Sequence, residues 1–468
     1  MPANQITVGF LPLYIELYDQ AVPQRHVLCD EIYEKAAQML EARGLSVLRS
    51  PLCRLKREFA DAVREFEASG ADCLVTLHMA YSPSLESADV LAATDLPIVV
   101  MDTTVTYDFS PYQDAAEIGV NHGIHGVMDM CNLLRRRGKE FAIAAGHLTE
   151  SPVVDRVVDL VRGGVAARAL NGMKVASIGG SFHGMGDFLV GDDEMKRFFG
   201  VDVLYPSADT LAAVRETITD EEVAAEMALD FQNAKPLDTP AGNFTPETHA
   251  RSTRDCLALR RWMDKEGIGA YSANFLKIGE GCGLTSMPFM EAGKAMARGL
   301  GYAGEGDVLT AAFCGALRTG FTDTTFVEIF CPDWKGDRVM LSHMGEINYA
   351  CADGELELVE MNFIYGAENP VVAYGRYRAG NAIFANIYRA RDGFHLLLSP
   401  VTMDQVPADD NFGGKVRGWL KPAMPLPAFL EGISRFGATH HSILIYDASL
   451  EALEFFGRQL GLPVDILS

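Results

Sequence analysis

Apolar positions in the first third of the chain fall into short runs separated by amphipathic stretches of helical length. ITVGFLP (6–12), LSVLRSP (45–51), DCLVTLHM (72–79) and LPIVVMD (96–102) are apolar enough to be buried on both faces, as strands of a parallel sheet are. Between them, DEIYEKAAQMLEARG (30–44) and REFADAVREFEASG (57–70) carry apolar residues at helical spacing and end in glycine. The alternation predicts βαβ units from residue 5 to about 172. In LHMAYSPSLESADVL (77–91), Ser82 is the expected N-cap and Pro83 the first helical residue.

The pattern restarts at Met173. MKVASIGGSF (173–182), VDVLYPS (201–207) and IGAYSANFLKI (268–278) read as strands. Helices such as EEVAAEMALDFQ (221–232), TRDCLALRRWMDKEG (253–267) and FMEAGKAMARGLG (289–301) lie between or after them. Beyond about residue 320 the period changes. DTTFVEIFCP (323–332), DRVMLSHMGEINYACAD (337–353), ELELVEMNFI (355–364), NAIFANIYRARD (381–392) and GFHLLLSPV (393–401) are strand-like and joined by short turns, with no helix length between them. Turns such as ADG and RDG favour antiparallel hairpins, closing as a small barrel or curled sheet. The expectation is an α/β protein with two consecutive Rossmann-like parallel domains, 1–172 and 173–320, followed by an antiparallel β-barrel-like domain, 321–468. A chain of 468 residues exceeds what one hydrophobic core usually serves.

Composition narrows the partners. With 48% hydrophobic and 22% charged residues, the chain reads as globular. Its formal net charge of −23 disfavours a nucleic-acid or anionic-membrane surface, both of which need clustered Lys and Arg. The basic run RRRGK (135–139) closes a helical stretch, where cations suit the dipole. No basic leader with an apolar run and no stretch of about eighteen apolar residues is seen, so a cytoplasmic location is expected. Nine cysteines stand singly, without CxxC pairs, as reduced and mostly buried thiols would.

Several acids and imidazoles sit where chemistry could use them. Glu305, in GYAGEGDVLTAA (301–312), lies between glycines in a loop entering a helix. It can project into the crevice outside a sheet's carboxyl edge, or serve as a first-turn acid answering the helix dipole. Glu328 and His343 each interrupt an apolar, β-rich strand on either side of the turn DWKGD (333–337). A carboxylate among Phe, Val and Ile is costly to bury unless paired or bound to metal, although an outward face would also accommodate it. HHSILIYD (440–447) opens a strand, and because strand side chains alternate, His440 and His441 should point to opposite faces. Only one would then be a metal ligand, with the other contacting substrate or a carboxylate, although such a pair taken alone is more often structural. Imidazoles with carboxylates suit a divalent first-row ion, with Mn²⁺ favoured. GVNHGIHGVMDM (119–130) sets His122 and His125 three apart. SIGGSFHGMGDF (177–188) is a Gly-rich loop after a strand, but not GxGxxG, and GEGDV lacks the lysine of a phosphate loop.

Together these stretches resemble the L-arabinose isomerase family and its L-fucose isomerase relatives. LHMAYSPS (77–84), NHGIHG (121–126), SFHGMGDFLVGDDE (181–194), GYAGEGDVLTAA (301–312), LSHMGEI (341–347) and GATHHS (437–442) carry the resemblance, in the same order along nearly the whole chain. It implies that Glu305, Glu328, His343 and His441 ligate a divalent metal, Mn²⁺ or another such as Co²⁺ or Mg²⁺. It also implies that Glu305 and Glu328 are the catalytic carboxylates, and that Tyr14, His125, Met185, Phe275 and His440 contact sugar. FTDTTFVEIF (321–330) departs from the arabinose enzymes, leaving Asp323 as an alternative ligand. GFLPLYIELYDQ (9–20) departs too, which opens the identity of the sugar.

The resemblance implies aldose–ketose isomerisation of a free monosaccharide such as L-arabinose, by enediol proton transfer without an organic cofactor. It further implies a homo-oligomer, a trimer-based hexamer with sites completed by a neighbouring subunit. The alternatives are a metal-dependent epimerase or dehydratase on a sugar derivative, and a non-catalytic sugar-binding protein built from two α/β domains.

Overall fold

Five parallel strands, β1 (Thr7–Leu13), β2 (Ser46–Arg49), β3 (Cys73–His78), β4 (Ile98–Thr104) and β5 (Ala142–His147), form the first sheet in the order β2-β1-β3-β4-β5. The computed structural model of the chain describes residues 5–237, 244–279 and 281–468. Alternate residues of each strand face opposite ways, so Val8, Phe10, Val75, Val99 and Met101 enter one apolar layer and Leu11, Leu13, Leu74, Ile98 and Val100 the other. Gly9 has to be glycine, because a Cβ there would lie 2.6 Å from the Phe66 ring. Strand β5 (AIAAGH) was not foreseen, since its small residues lack the branched signature of the others. The fourth-strand helix also starts later than expected. It runs Ser84–Ala93 with Pro83, not Ser82, as N-cap, and Asp129 accepts the Ser84 N–H (3.1 Å), the task expected of a capping side chain.

The next strands are β6 (Lys174–Ile178), β7 (Asp202–Leu204), β8 (Ala234–Pro236), β9 (Ala270–Ala273) and β10 (Gly301–Gly304). Four of them make a second parallel sheet, β10-β9-β6-β7. Thereafter come β11 (Thr324–Asp333), β12 (Arg338–Leu341), β13 (Leu356–Glu360), β14 (Val371–Tyr374), β15 (Gly380–Arg389), β16 (Phe394–Met403), β17 (Gly418–Pro422), β18 (His441–Ile445) and β19 (Val464–Ile466). Six of these close an antiparallel barrel, β15-β18-β11-β12-β17-β16, because β16 also pairs with β15. The expected two parallel α/β sheets and terminal barrel are therefore present. The strand in ELELVEMNFI leaves the barrel, however. As β13 it pairs with β14 and with β8, burying Leu356 and Leu358 against Cys256 and Met290.

The chain divides into two compact units. One is built on the first sheet, ends at Arg168 and takes in Glu451–Gly461, whose Phe455 lies in that sheet's core. The other holds Ala169–Leu450 with Leu462–Ser468, and so contains the second sheet and the barrel. The cysteines are free thiols, seven of them buried. Among the described residues no helix is long and apolar enough to cross a membrane.

Three helices of the second unit, Asp220–Asn233, Pro246–Glu266 and Phe289–Ala297, are joined through charge rather than through apolar contact alone. Arg260 bonds Glu226 (2.8 Å) and Glu291 (2.7 Å), Lys294 bonds Glu226 (2.7 Å) and Asp230, and Arg298 bonds Glu291. Three carboxylates thus meet three cations, and the Glu291 side chain is fully buried. Removing one member strands the others, so Arg260→Ala is expected to destabilise the protein by roughly 3–5 kcal/mol. Burial acts to raise the Glu226 carboxyl, but Arg260 and Lys294 outweigh it and hold the group down to about 2 from its usual 4.5. A depressed carboxylate stabilises the fold above its ordinary value and loses that contribution as the pH falls through the folded value. The gap in thermal midpoint between the wild type and Glu226→Gln is therefore expected to shrink as the pH drops from about 4.5 toward about 2.

Candidate metal centre

The carboxyl edge of the second sheet and the wall of the barrel supply the site. Glu305 follows β10 directly, with its N–H on Ala273 O (3.0 Å) and the Gly306 N–H on Ser272 Oγ (2.9 Å). Its φ of 65° is left-handed, a conformation that costs a non-glycine residue about 1–2 kcal/mol. Asp307, not Glu305, caps the helix Val308–Gly320 by accepting from Thr310 N (2.9 Å). Glu305 is thereby free of the helix-dipole role and can project outward.

Glu328 in β11 stands directly opposite His441 in β18. Opposed residues of an antiparallel pair share a face, so the two side chains converge although far apart in sequence. The β11–β12 hairpin then returns the chain beside Glu328, and the Ser342 N–H reaches Glu328 O (3.2 Å). His343 follows at once and places Nε2 3.5 Å from Glu328 Oε2. His441 Nε2 lies 3.5 Å from Glu305 Oε2.

What orients the two imidazoles is behind them. His343 Nδ1–H donates to Glu346 (2.6 Å), which also accepts from Tyr302 OH (2.7 Å) and Gly345 N (2.8 Å). His441 Nδ1–H donates to Asp307 (3.0 Å), and its ring stacks on Phe188 and meets Phe326 edge-on. With both Nδ1 atoms committed, the Nε2 atoms face the centre, and that of His441 is buried without a hydrogen-bond partner among the described residues. Two ligand atoms each about 2.1 Å from an ion at right angles lie about 3 Å apart, so 3.5 Å spacings between acceptors suit an ion between them. Ligand atoms of Glu328, His343 and His441, and of Glu305, His440 and His441, lie within 4.8 Å of one another, two triads sharing His441. Two carboxylates and two imidazoles could hold a divalent ion of the Mn²⁺, Co²⁺ or Mg²⁺ kind.

Burial and neighbouring charge shift the titration of two of these groups. Burial pushes the Glu328 carboxyl up, only partly offset by His343, His441 and His440. Burial would lower His343, but Glu346, Glu328 and Glu305 outweigh it and raise the imidazole to about 9. A divalent ion held there would take the place of that proton, so its uptake would weaken as the pH falls.

The adjacent histidines do not behave as strict alternation demands. His440 precedes β18 and lies outside its ladder, so the two rings sit side by side, 4.3 Å between centroids. His440 Nε2 also reaches Glu305 Oε2, at 3.5 Å. Asp323 has another occupation, since it accepts from Arg378 (2.6 Å) at the far end of β11. Of the other expected sugar contacts, Met185 lies in the loop after β6, and Phe275 follows β9, packed on Phe182 and Tyr365. Tyr14 and His125 belong to the other unit. There Tyr14 is buried with a hydroxyl that finds no partner among the described residues, and His125 stacks between Tyr81 and His122.

Sequence comparison supplies the family. The model of the L-arabinose isomerase central domain matches residues 191–320, and that of the L-arabinose isomerase C-terminal domain matches residues 323–463. The chain belongs to the L-arabinose isomerase family. It is a sugar isomerase, an enzyme of aldose–ketose interconversion. L-arabinose isomerase of Nocardioides sp. is 24% identical across 98% of this chain and 93% of its own length. That of Shouchella clausii is 23% identical over the same shares, and that of Salmonella arizonae 23% identical across 85% and 81%.

Asp307, Glu346 and Gly304 were not singled out from sequence. The first two sit two and three residues from ligand candidates, a spacing that could have marked them as partners. Gly304 is needed for room, because a Cβ there would lie 2.8 Å from His343 Cε1 and 3.2 Å from its Nε2. With His343 pinned by Glu346 the ring has little freedom to yield. Gly304→Ala is expected to fold and to bind Mn²⁺ about 10–100-fold more weakly, as read by calorimetric titration.

Proposed function

We propose that the chain is a divalent-metal-dependent aldose–ketose isomerase acting on a free monosaccharide, L-arabinose or a related sugar, with Mn²⁺ as the favoured ion. The observation that carries this reading is the pair of triads that share His441, with Glu305 and His440 in one and Glu328 and His343 in the other, and with the Nδ1 atoms of His343 and His441 tied to buried carboxylates. Glu305, Glu328, His343 and His441 would hold the ion. When bound, it would polarise the sugar carbonyl and favour the enediolate that a weakly acidic C–H cannot otherwise reach.

The chain's own groups then handle protons. One of Glu305 and Glu328 takes the proton from one of the two carbons and returns it to its neighbour, while the other moves the hydroxyl proton between the two oxygens. Burial of Glu328 strengthens it as a base. His440 contacts a sugar hydroxyl beside Glu305, and Met185 and Phe275 line the same unit's approach. Family resemblance supports a trimer-based hexamer in which Tyr14 and His125 of a neighbouring subunit complete the site.

The test is a panel of aldoses, deoxy-sugars and ketoses incubated with Mn²⁺ in D₂O and followed by NMR. Isomer formation with deuterium at C1 or C2 is expected for at least one sugar. Binding without turnover, or products of epimerisation or dehydration, would contradict the proposal.

A further inference from the structure

The loop between β6 and the helix Asp192–Phe199 touches the candidate centre at four places. Ser181 Oγ donates to Gly306 O (3.0 Å), and Phe182 N donates to Glu305 O (2.9 Å), so its start is tied to the turn that presents Glu305. The approach is close enough that a Cβ on Gly306 would lie 2.3 Å from Gly180 O. Further on, Phe188 is buried and stacks on His441 at 5.1 Å and 7° between planes. Next to it, Asp187 Oδ2 accepts twice from His440, from the backbone N–H (2.9 Å) and from Nδ1–H (2.7 Å).

Both bonds fix one side chain. The backbone bond sets where His440 leaves the chain, and the ring bond sets its rotation and turns Nε2 toward Glu305 Oε2, 3.5 Å away. The ring is about one-third exposed, so a small molecule can reach it. A hydroxyl can donate or accept, so Nε2 serves a sugar hydroxyl in either protonation state. Neither bond touches the proposed ligand set, because His441 is held separately by Asp307.

We infer that Asp187 is a positioning residue for substrate: it holds His440 so that Nε2 meets a sugar hydroxyl beside Glu305, and the loop 181–190 thereby sets substrate affinity without holding the ion. The inference rests on the isomerase reading. A contact to a hydroxyl is present before and during proton transfer, so its loss falls mainly on KM.

The test compares wild type, Asp187→Ala and Asp187→Glu at saturating Mn²⁺ on a sugar the wild type converts, with Mn²⁺ affinity measured alongside. Asp187→Ala is expected to raise KM about 10–100-fold with Mn²⁺ affinity within about twofold of wild type. Asp187→Glu, which keeps the acceptor, is expected to recover most of the loss. An unchanged KM in Asp187→Ala overturns the inference, as does a loss of activity that merely tracks a loss of Mn²⁺ affinity. A wild type that converts no sugar would instead remove the isomerase reading, and this inference with it.

Discussion

Glu328→Gln protein is expected to fold as the wild type does and to isomerise sugar about 10²–10⁴-fold more slowly, the span a positioned proton-transfer group usually supplies. Glutamine keeps the size and one oxygen, so the β11–β18 register opposite His441 should survive. It cannot accept a proton at neutral pH, and it gives a buried ion a neutral oxygen in place of a charged one. Glu305→Gln should fall by a similar factor for the same reasons. Because Glu305 occupies a left-handed backbone position whichever side chain it carries, the change to Gln adds no strain. Purified mutants with wild-type thermal midpoints and kcat values near wild type would remove both assignments.

Chelation is the second large effect. Dialysis against a chelator should abolish turnover, and Mn²⁺ should restore it, because no side chain at the site would polarise the sugar carbonyl as a bound divalent cation would. The stripped protein should keep its fold. His343 is held by Glu346 and His441 by Asp307 through bonds that need no ion, so the fold is expected to survive its removal. An enzyme that keeps full activity through exhaustive chelation would remove the metal role.

Much of the fold was legible because its signals are local. Continuous apolar runs marked β1 to β4, and the switch from helix-length spacers to Asp-Gly turns marked the barrel. The failures have physical causes. Strand β5 is too rich in alanine and glycine to announce itself, and β13 finds its apolar partners in β8, β14 and the helices around Cys256 rather than in the barrel. At the site, Glu305 stood out because an acid between glycines in a loop entering a helix can project from the sheet's carboxyl edge, although a helix-dipole role was equally open to it, and Glu328 and His343 because they interrupt apolar strands. The pairing of Glu328 with His441 depends on barrel register, which no local pattern encodes. The side-by-side histidines were misread because His440 lies one residue before the ladder begins. Asp187, Asp307 and Glu346 are ordinary surface-type residues until the fold puts an imidazole against each.

Crystals soaked with Mn²⁺, measured at the manganese absorption edge, test the central claim most directly. One anomalous peak is predicted in the second unit, about 2.0–2.3 Å from carboxylate oxygens of Glu305 and Glu328 and from Nε2 of His343 and His441. No peak there, or a peak held by other side chains, would contradict the account.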